Sequence, residues 1–339
     1  MDTRVFPTSP VMPSVRLTVT GLAVIGDASL LRLLAFLDTV LRGIGQVMFQ
    51  SNSYAGLIFL TGVFYNSVLF GLAVLVGTTV STLTALLLGA DRAQIRAGLF
   101  GFNGALAAIA LSYFLQPDIL TVTYVCCAAA FTTVLMAALL RLLSVWKAPV
   151  LTAPFIFTSL CFLLASARFG RLYSTHVLPT AGLPKAATVE GVVTASTVLE
   201  GLFNGVAQVF FQGNVITGVI FAVGLLISSR LAFVTALLGS LTGLVVAWGM
   251  GAAEPAIRSG AFGFNSLLTA TAICGVFFAL NAASAVYGLL AAVTTAVVFA
   301  AVSAALEPLG MPALTAPFVI VVWVFVLAGP VFPRLRPVV

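Results

Sequence analysis

Charge is what this chain has least of: Asp, Glu, Lys and Arg make up 7% of its 339 residues, where a soluble globular domain carries about 25%. That shortage excludes a soluble protein, because too little charge exists to clothe a surface. Histidine occurs once, at His176. A serine–histidine constellation or paired aspartates at membrane depth are missing, and with them the machinery of an intramembrane enzyme. Four cysteines, Cys126, Cys127, Cys161 and Cys274, lie in apolar runs without metal-ligand or disulfide spacing and read as packing residues. A basic patch is absent as well. The net charge of +6 is spread along loops, so no nucleic-acid partner is expected. The opening MDTRVFPTSPVMPSVR has no continuous apolar core, so residues 1–27 are expected to form an exposed cytoplasmic tail rather than a cleavable signal peptide, with the first helix as targeting signal.

What remains is apolar. Hydrophobic residues make up 61% of the chain, with 27 Phe and a mean hydropathy of +1.19. Long apolar stretches recur at Leu30–Phe64, Val68–Gly89, Gly98–Leu115, Ile119–Leu143, Val150–Ala167 and from about Val192 onward, each near or above the ~20 residues of a membrane helix. The expectation is an all-α integral membrane protein of about ten spans. With a cytoplasmic N-terminus, Arg4, Arg16, Arg92, Arg96, Arg141, Lys147, Arg230, Arg334 and Arg336 gather inside, against Arg168, Arg171, Lys185 and Arg258 outside, which favours both termini in the cytoplasm.

The chain is written twice. GIGQVMFQSN (43–52) returns as GVAQVFFQGN (205–214), six of ten positions identical; RAGLFGFN (96–103) returns as RSGAFGFN (258–265); both are displaced by 162 residues, and LTAPF (151–155) returns unchanged at 314–318, displaced by 163. The polar, proline-bearing segment between the copies reads as an extramembrane linker. The expected organisation is a tail (1–27), a first repeat (28–167), a linker (168–189), a second repeat (190–332) and a C-terminal tail (333–339). Five spans per copy force the second to enter from the opposite face, giving inverted repeats. Leu30–Phe64 as one helix would be about 52 Å long at ~1.5 Å per residue, against a ~30 Å hydrocarbon core. A helix, a break bracketed by Gly43, Gly45 and Gly56, and a half-helix are therefore expected, with a second break at GLFGFNG (98–104). Broken helices at matching positions of two halves point to a transport site.

The duplicated polar and aromatic residues are the candidates. Gln46 and Gln208 sit in apolar surroundings where an unpaired amide costs roughly 2–7 kcal/mol; they either cap the broken backbone or line a pore. Phe49 and Phe211 follow three residues later, and Phe102 and Phe264 stand in the GFN motif, so either core packing or an aromatic slot accounts for them. Thr152 and Thr315 either bond the preceding turn or face a lumen. Arg42, Gln50 and Asn52 are expected to hold the break. Asp38 and Glu200, Arg96 and Arg258 are paired by the repeat but lie near span ends, where capping or anchoring competes with function. A lining of amides, hydroxyls and aromatic faces without a ring of charge suits a small, neutral, planar solute with N–H donors and a carbonyl.

These residues resemble the urea transporter family: the GxGQVxF segments, the duplicated GxxGFN motif and the paired LTAPF pentapeptides occur in family order over nearly the whole chain. The resemblance implies a bacterial member in the cell inner membrane, with ten spans in two inverted five-helix repeats, half-helices around a central pore, and a homotrimer with one pore per protomer. It implies passive, channel-like flow of urea and no cofactor. It assigns Gln46 and Gln208 to urea at the two mouths, Thr152 and Thr315 to the narrow centre, and Phe49, Phe102, Phe264, Val209 and Leu106 to the slot, with the repeat mates Phe211 and Leu268. The chain departs from the family in having QSNSYAG and QGNVITG after the glutamines, keeping Asn52 and Asn214 but losing a proline. Alternatives are a channel of the same fold for another small amide and an ion-coupled transporter.

Overall fold

A computed structural model describes residues 15–19, 22–26, 28–184 and 188–338. Arg4 and Lys185 of the topological count and most of the expected tail lie outside the described residues. Part of that tail departs from an all-helical reading: strands β1 (Val15–Val19) and β2 (Leu22–Gly26) form an antiparallel hairpin with Val15 opposite Gly26.

The first long apolar run is broken where the sequence predicts. Helix α1 (Ala28–Gln46) stops as the Gly45 carbonyl accepts from the N–H groups of both Met48 and Gln50, each at 3.0 Å. Phe49 then takes a left-handed φ of 61° and turns the chain. Helix α2 (Ser53–Asn66) restarts under an Asn52 cap, whose Oδ1 accepts from the N–H groups of Tyr54 (2.9 Å) and Ala55 (3.3 Å). Satisfying the first free amides of a helix is the usual work of such a cap, and here Asn52 starts the half-helix without a proline. Gly56 lies against the Leu41 carbonyl so closely that a Cβ would overlap it, which lets α2 fold back along α1.

Helix α3 (Val68–Leu87) and the short α4 (Arg92–Arg96) lead into the second break. There Gly98, at φ 81°, lies against the Arg42 and Gly43 backbone, a conformation and a proximity that only a residue without Cβ tolerates. The buried helix α5 (Phe102–Phe114), the long α6 (Ile119–Leu143) and α7 (Ala153–Ser166), with Pro154 in its first turn, complete the half.

The second half repeats this order as α8 (Ala195–Ala207), α9 (Val215–Ser228), α10 (Arg230–Gly249), α11 (Glu254–Arg258), α12 (Gly263–Thr271), α13 (Ala282–Leu306) and α14 (Ala316–Ala328). Asn214 caps α9 as Asn52 caps α2, and the chain bends by 74° between 195–210 and 215–228. Among the described residues five helices are long and apolar enough to cross a membrane, six if the bent pair is one span, and three shorter apolar helices accompany them. Outward-facing side chains such as Leu87 and Ile119 are more than four-fifths exposed, as in a protein whose outer solvent is hydrocarbon. The chain is an all-α multi-pass membrane protein apart from its N-terminal hairpin.

The halves meet by reciprocal contacts. Phe49 packs edge-on against Phe318 (5.9 Å between centroids), and its repeat mate Phe211 packs edge-on against Phe155 (6.3 Å), the mate of Phe318. Phe59 meets its own mate Phe221 at 5.5 Å. Pairs in which i touches j and j touches i are the mark of a two-fold axis, here internal to one chain.

One residue separates the two copies. Their offset is 162 at Asn103 and Asn265 but 163 at the bridges Leu115↔Ser174 and Phe278↔Pro337. Between these points Ala272–Phe277 forms a π-helix, whereas α5 is regular to Phe114. A π turn accommodates one extra residue inside a helix.

Candidate functional site

The two-fold axis passes through a hydroxyl pair. Thr152 and Thr315 are the N-cap residues of α7 and α14, are 4% and 3% exposed, and their Oγ1 atoms lie 2.7 Å apart. One hydroxyl donates to the other, joining the two halves across the axis. The N-termini of α7 and α14 therefore face one another in the middle of the molecule.

Each threonine is held by an asparagine that the sequence reading passed over. Asn103 accepts from the Phe155 N–H (3.1 Å) through Oδ1 and donates to the Leu151 carbonyl (3.4 Å). Asn265 does the same with the Phe318 N–H (3.3 Å) and the Leu314 carbonyl (3.1 Å). Leu151 and Leu314 are left-handed, at φ 54° and 51°, a conformation that costs a non-glycine residue about 1–3 kcal/mol and persists only where its surroundings enforce it. The buried Asn supplies that enforcement by satisfying both a free helix amide and a turned carbonyl. Its signal was the duplicated Asn in GFN.

The glutamines end the broken helices. Gln46 Nε2 donates to the Ala97 carbonyl at 2.9 Å, and Gln208 Nε2 to the Ser259 carbonyl at 3.2 Å. Both side chains are half-buried. One amide hydrogen thus pins the first break to the second in each half, leaving the remaining donor and the carbonyl oxygen as chemical capacity. Gln50 and Gln212, whose direction the sequence did not settle, fold back to the carbonyls of Met48 (2.8 Å) and Phe210 (2.6 Å) and brace the left-handed Phe49 and Phe211. Arg42 bonds both Asp38 (2.7 Å) and the Ser51 carbonyl (2.9 Å), so Arg42, Gln50 and Asn52 do hold the break.

A cavity of about 250 Å³ gathers one half of the predicted set: Gln208, Val209, Phe211, Phe264 and Thr315 all line it. Phe155, Phe299, Ser303 and the Pro312–Leu314 segment complete it with Pro179 of the linker. The ring of Phe299 meets Phe264 edge-on at 5.9 Å and fixes that wall. Repetition gave no hint of Phe299, because the matching position in the first half is Met136. Gln46, Phe49, Phe102, Leu106 and Thr152 are not among the lining residues and occupy the repeat-related positions of the first half; Leu268 is buried in α12 as Leu106 is in α5. The walls are apolar and aromatic, with the Gln208 amide and the buried Thr315 hydroxyl among them. Such a cavity is costly for an ion to enter and hospitable to a flat molecule with hydrogen-bonding edges.

The charged pairs are not among the residues that line this cavity. Asp38 is joined to Arg42, while Glu200 bonds Arg258 at 2.6 Å, which also bonds Glu254 at 2.7 Å. His176 is an exposed linker residue.

Comparison with known proteins accords with this geometry. The family model described as Urea transporter matches residues 37–330. The chain is 35% identical to Urea transporter 1 of Ovis aries over 298 residues, 87% of this chain and 77% of that protein. Urea transporter 1 of Rattus norvegicus shows the same identity and coverage, and that of Mus musculus is 34% identical over the same length.

Proposed function

Because this chain belongs to the urea transporter family, we propose that it carries urea passively, as a channel, through a slot centred on the Thr152–Thr315 pair. Transport rather than catalysis is the family's work. The observation that carries the channel reading is the cavity in which the Gln208 amide, the Phe211, Phe264 and Phe299 rings and the Thr315 hydroxyl converge.

In this reading urea sheds water at a mouth where Gln208 or Gln46 bonds one edge of the solute. The aromatic faces then cover its plane, so that only flat molecules pass. At the centre the hydroxyl pair is versatile: each hydroxyl both donates and accepts, so a solute inserted between them keeps partners for its carbonyl and its N–H groups. Val209, Leu106 and Leu268 narrow the slot, with Phe49 and Phe102 as its walls in the first half. Ten crossings in two inverted halves, both termini in the cytoplasm, and a homotrimer with one pore per protomer complete the picture for a bacterial inner membrane.

Stopped-flow uptake by vesicles holding the purified protein tests this. Urea flux well above the lipid background is expected, with slower acetamide and formamide flux, and Gln46→Ala and Gln208→Ala are expected to lower urea flux while the assembly elutes unchanged. Flux of another amide without urea flux moves the assignment to that solute, and normal conduction by both variants removes the glutamines from the lining.

A further inference from the structure

The geometry points to a binding site for an anionic phospholipid in a groove between α1, α3 and α4, remote from the slot. The groove has a volume of about 640 Å³; Phe36, Leu86 and Ile95 give it apolar lining, and Arg32, Arg92 and Arg96 line it with charge. All three arginines are exposed, and none has a hydrogen bond or ion pair among the described residues. Of the acids nearest in sequence, Asp38 bonds Arg42 and Asp91 caps α4 by accepting from the Gln94 N–H at 2.9 Å, while Asp27 lies outside the described residues.

The internal repeat offers a comparison for these three positions. At the matching end of the second half, Arg32 becomes Thr194 and Arg92 becomes Glu254, while Arg96 remains as Arg258. That remaining arginine is neutralised within the chain by Glu200 and Glu254 and bonded to the Thr197 hydroxyl. The repeat-related positions are thus neutralised within the chain in the second half, while in the first they carry three cations without a partner among the described residues beside apolar side chains. A ligand that meets both demands is negatively charged at its head and apolar behind it. The arginine-rich end is the one assigned to the cytoplasm, where the leaflet supplies anionic headgroups, each nearby Lys or Arg contributing about 1 kcal/mol to their attraction.

The test is native mass spectrometry of the intact chain released from detergent and titrated with dioleoyl phosphatidylglycerol or dioleoyl phosphatidylcholine. The wild type is expected to hold phosphatidylglycerol in preference to phosphatidylcholine. Affinity is expected to fall about fivefold for each arginine removed and roughly a hundredfold in R32Q/R92Q/R96Q. R32K/R92K/R96K is expected to restore most of the binding, and R168Q/R171Q, which removes linker charge, to leave it unchanged. Single variants carry the test if the triple glutamine variant does not fold. Equal binding by wild type and glutamine variants overturns the site. Displacement of phosphatidylglycerol by millimolar inorganic phosphate overturns the lipid as its occupant, because the anion alone then suffices.

Discussion

Replacing Asn265 by Ala removes the side chain that ties the left-handed Leu314 to the start of α14. Its amide satisfies the Leu314 carbonyl at 3.1 Å and the Phe318 N–H at 3.3 Å, and the residue is fully buried. Each orphaned group costs about 1–3 kcal/mol in a water-soluble protein. Side-chain bonds between membrane helices average only about 0.6 kcal/mol, with a maximum near 1.7, because the unfolded chain in lipid also finds partners. Two such bonds set the expected loss at about 1–3 kcal/mol. Released strain at Leu314 shifts Thr315, its neighbour, so urea flux is expected to fall with stability. Asn103→Ala removes the matching pair of bonds and is expected to match this loss to within about 1 kcal/mol, and the double variant to lose roughly the sum. Reversible unfolding in bicelles by denaturing detergent, beside stopped-flow uptake, measures both quantities. A change below about 0.5 kcal/mol with normal flux refutes the clamp.

Thr315→Val and Thr152→Val each leave the other hydroxyl of the central pair buried without its 2.7 Å partner; each is expected to cost up to about 1.7 kcal/mol, while the double variant unfolds no more easily than either single one because both partners are gone. Both single variants are expected to conduct urea more slowly in the uptake assay. Gly56→Ala drives a Cβ into the Leu41 carbonyl and is expected to lose at least the ~1–3 kcal/mol of an overpacked core, seen as loss of the monodisperse peak on gel filtration. Gly89→Ala, at φ 73° with open space around it, is expected to cost only the ~1–2 kcal/mol of a left-handed residue and to elute normally. Because Asp38 and Glu200 are tied into ion pairs off the slot, urea flux is expected to be indifferent to proton and sodium gradients in the wild type, in Asp38→Asn and in Glu200→Gln; a gradient dependence that either variant abolishes points to coupled transport.

The parts of this fold legible in sequence were those that the chain states twice. Duplication located both helix breaks, and the excess length of Leu30–Phe64 over a bilayer required the first of them. The direction of Gln50 and Gln212 was not legible, because it follows from the positive φ of Phe49 and Phe211, and nothing in a phenylalanine announces that conformation. Asn103 and Asn265 were visible as a repeat yet silent as a clamp: their partners lie 48 to 53 residues away. Phe299 was hidden for the opposite reason, having Met136 for a mate. Pro179 reaches the cavity because the linker folds back over the second half, its Gly182 N–H donating to the Glu307 carbonyl at 3.2 Å; reading that segment as a connector left no way to foresee it.

The step from an offset of 162 to one of 163 was legible too, as an arithmetic oddity whose meaning lay in the backbone. An extra residue in a regular α-helix rotates everything beyond it by about 100°, one part in 3.6 of a turn. Such a rotation of α12 relative to α5 would destroy the reciprocal pairing of the halves downstream. That pairing survives: Tyr287 donates to the Phe325 carbonyl at 2.7 Å as Tyr124 does to Phe162 at 2.7 Å, and Phe278 bridges Pro337 as Leu115 bridges Ser174. The insertion is confined to the π turn at Ala272–Phe277, beyond Leu268, so Phe264, Asn265 and Leu268 keep register with Phe102, Asn103 and Leu106. Thr315 then returns at the new offset to face Thr152 across the axis. The symmetry of the centre depends on six residues that are themselves asymmetric.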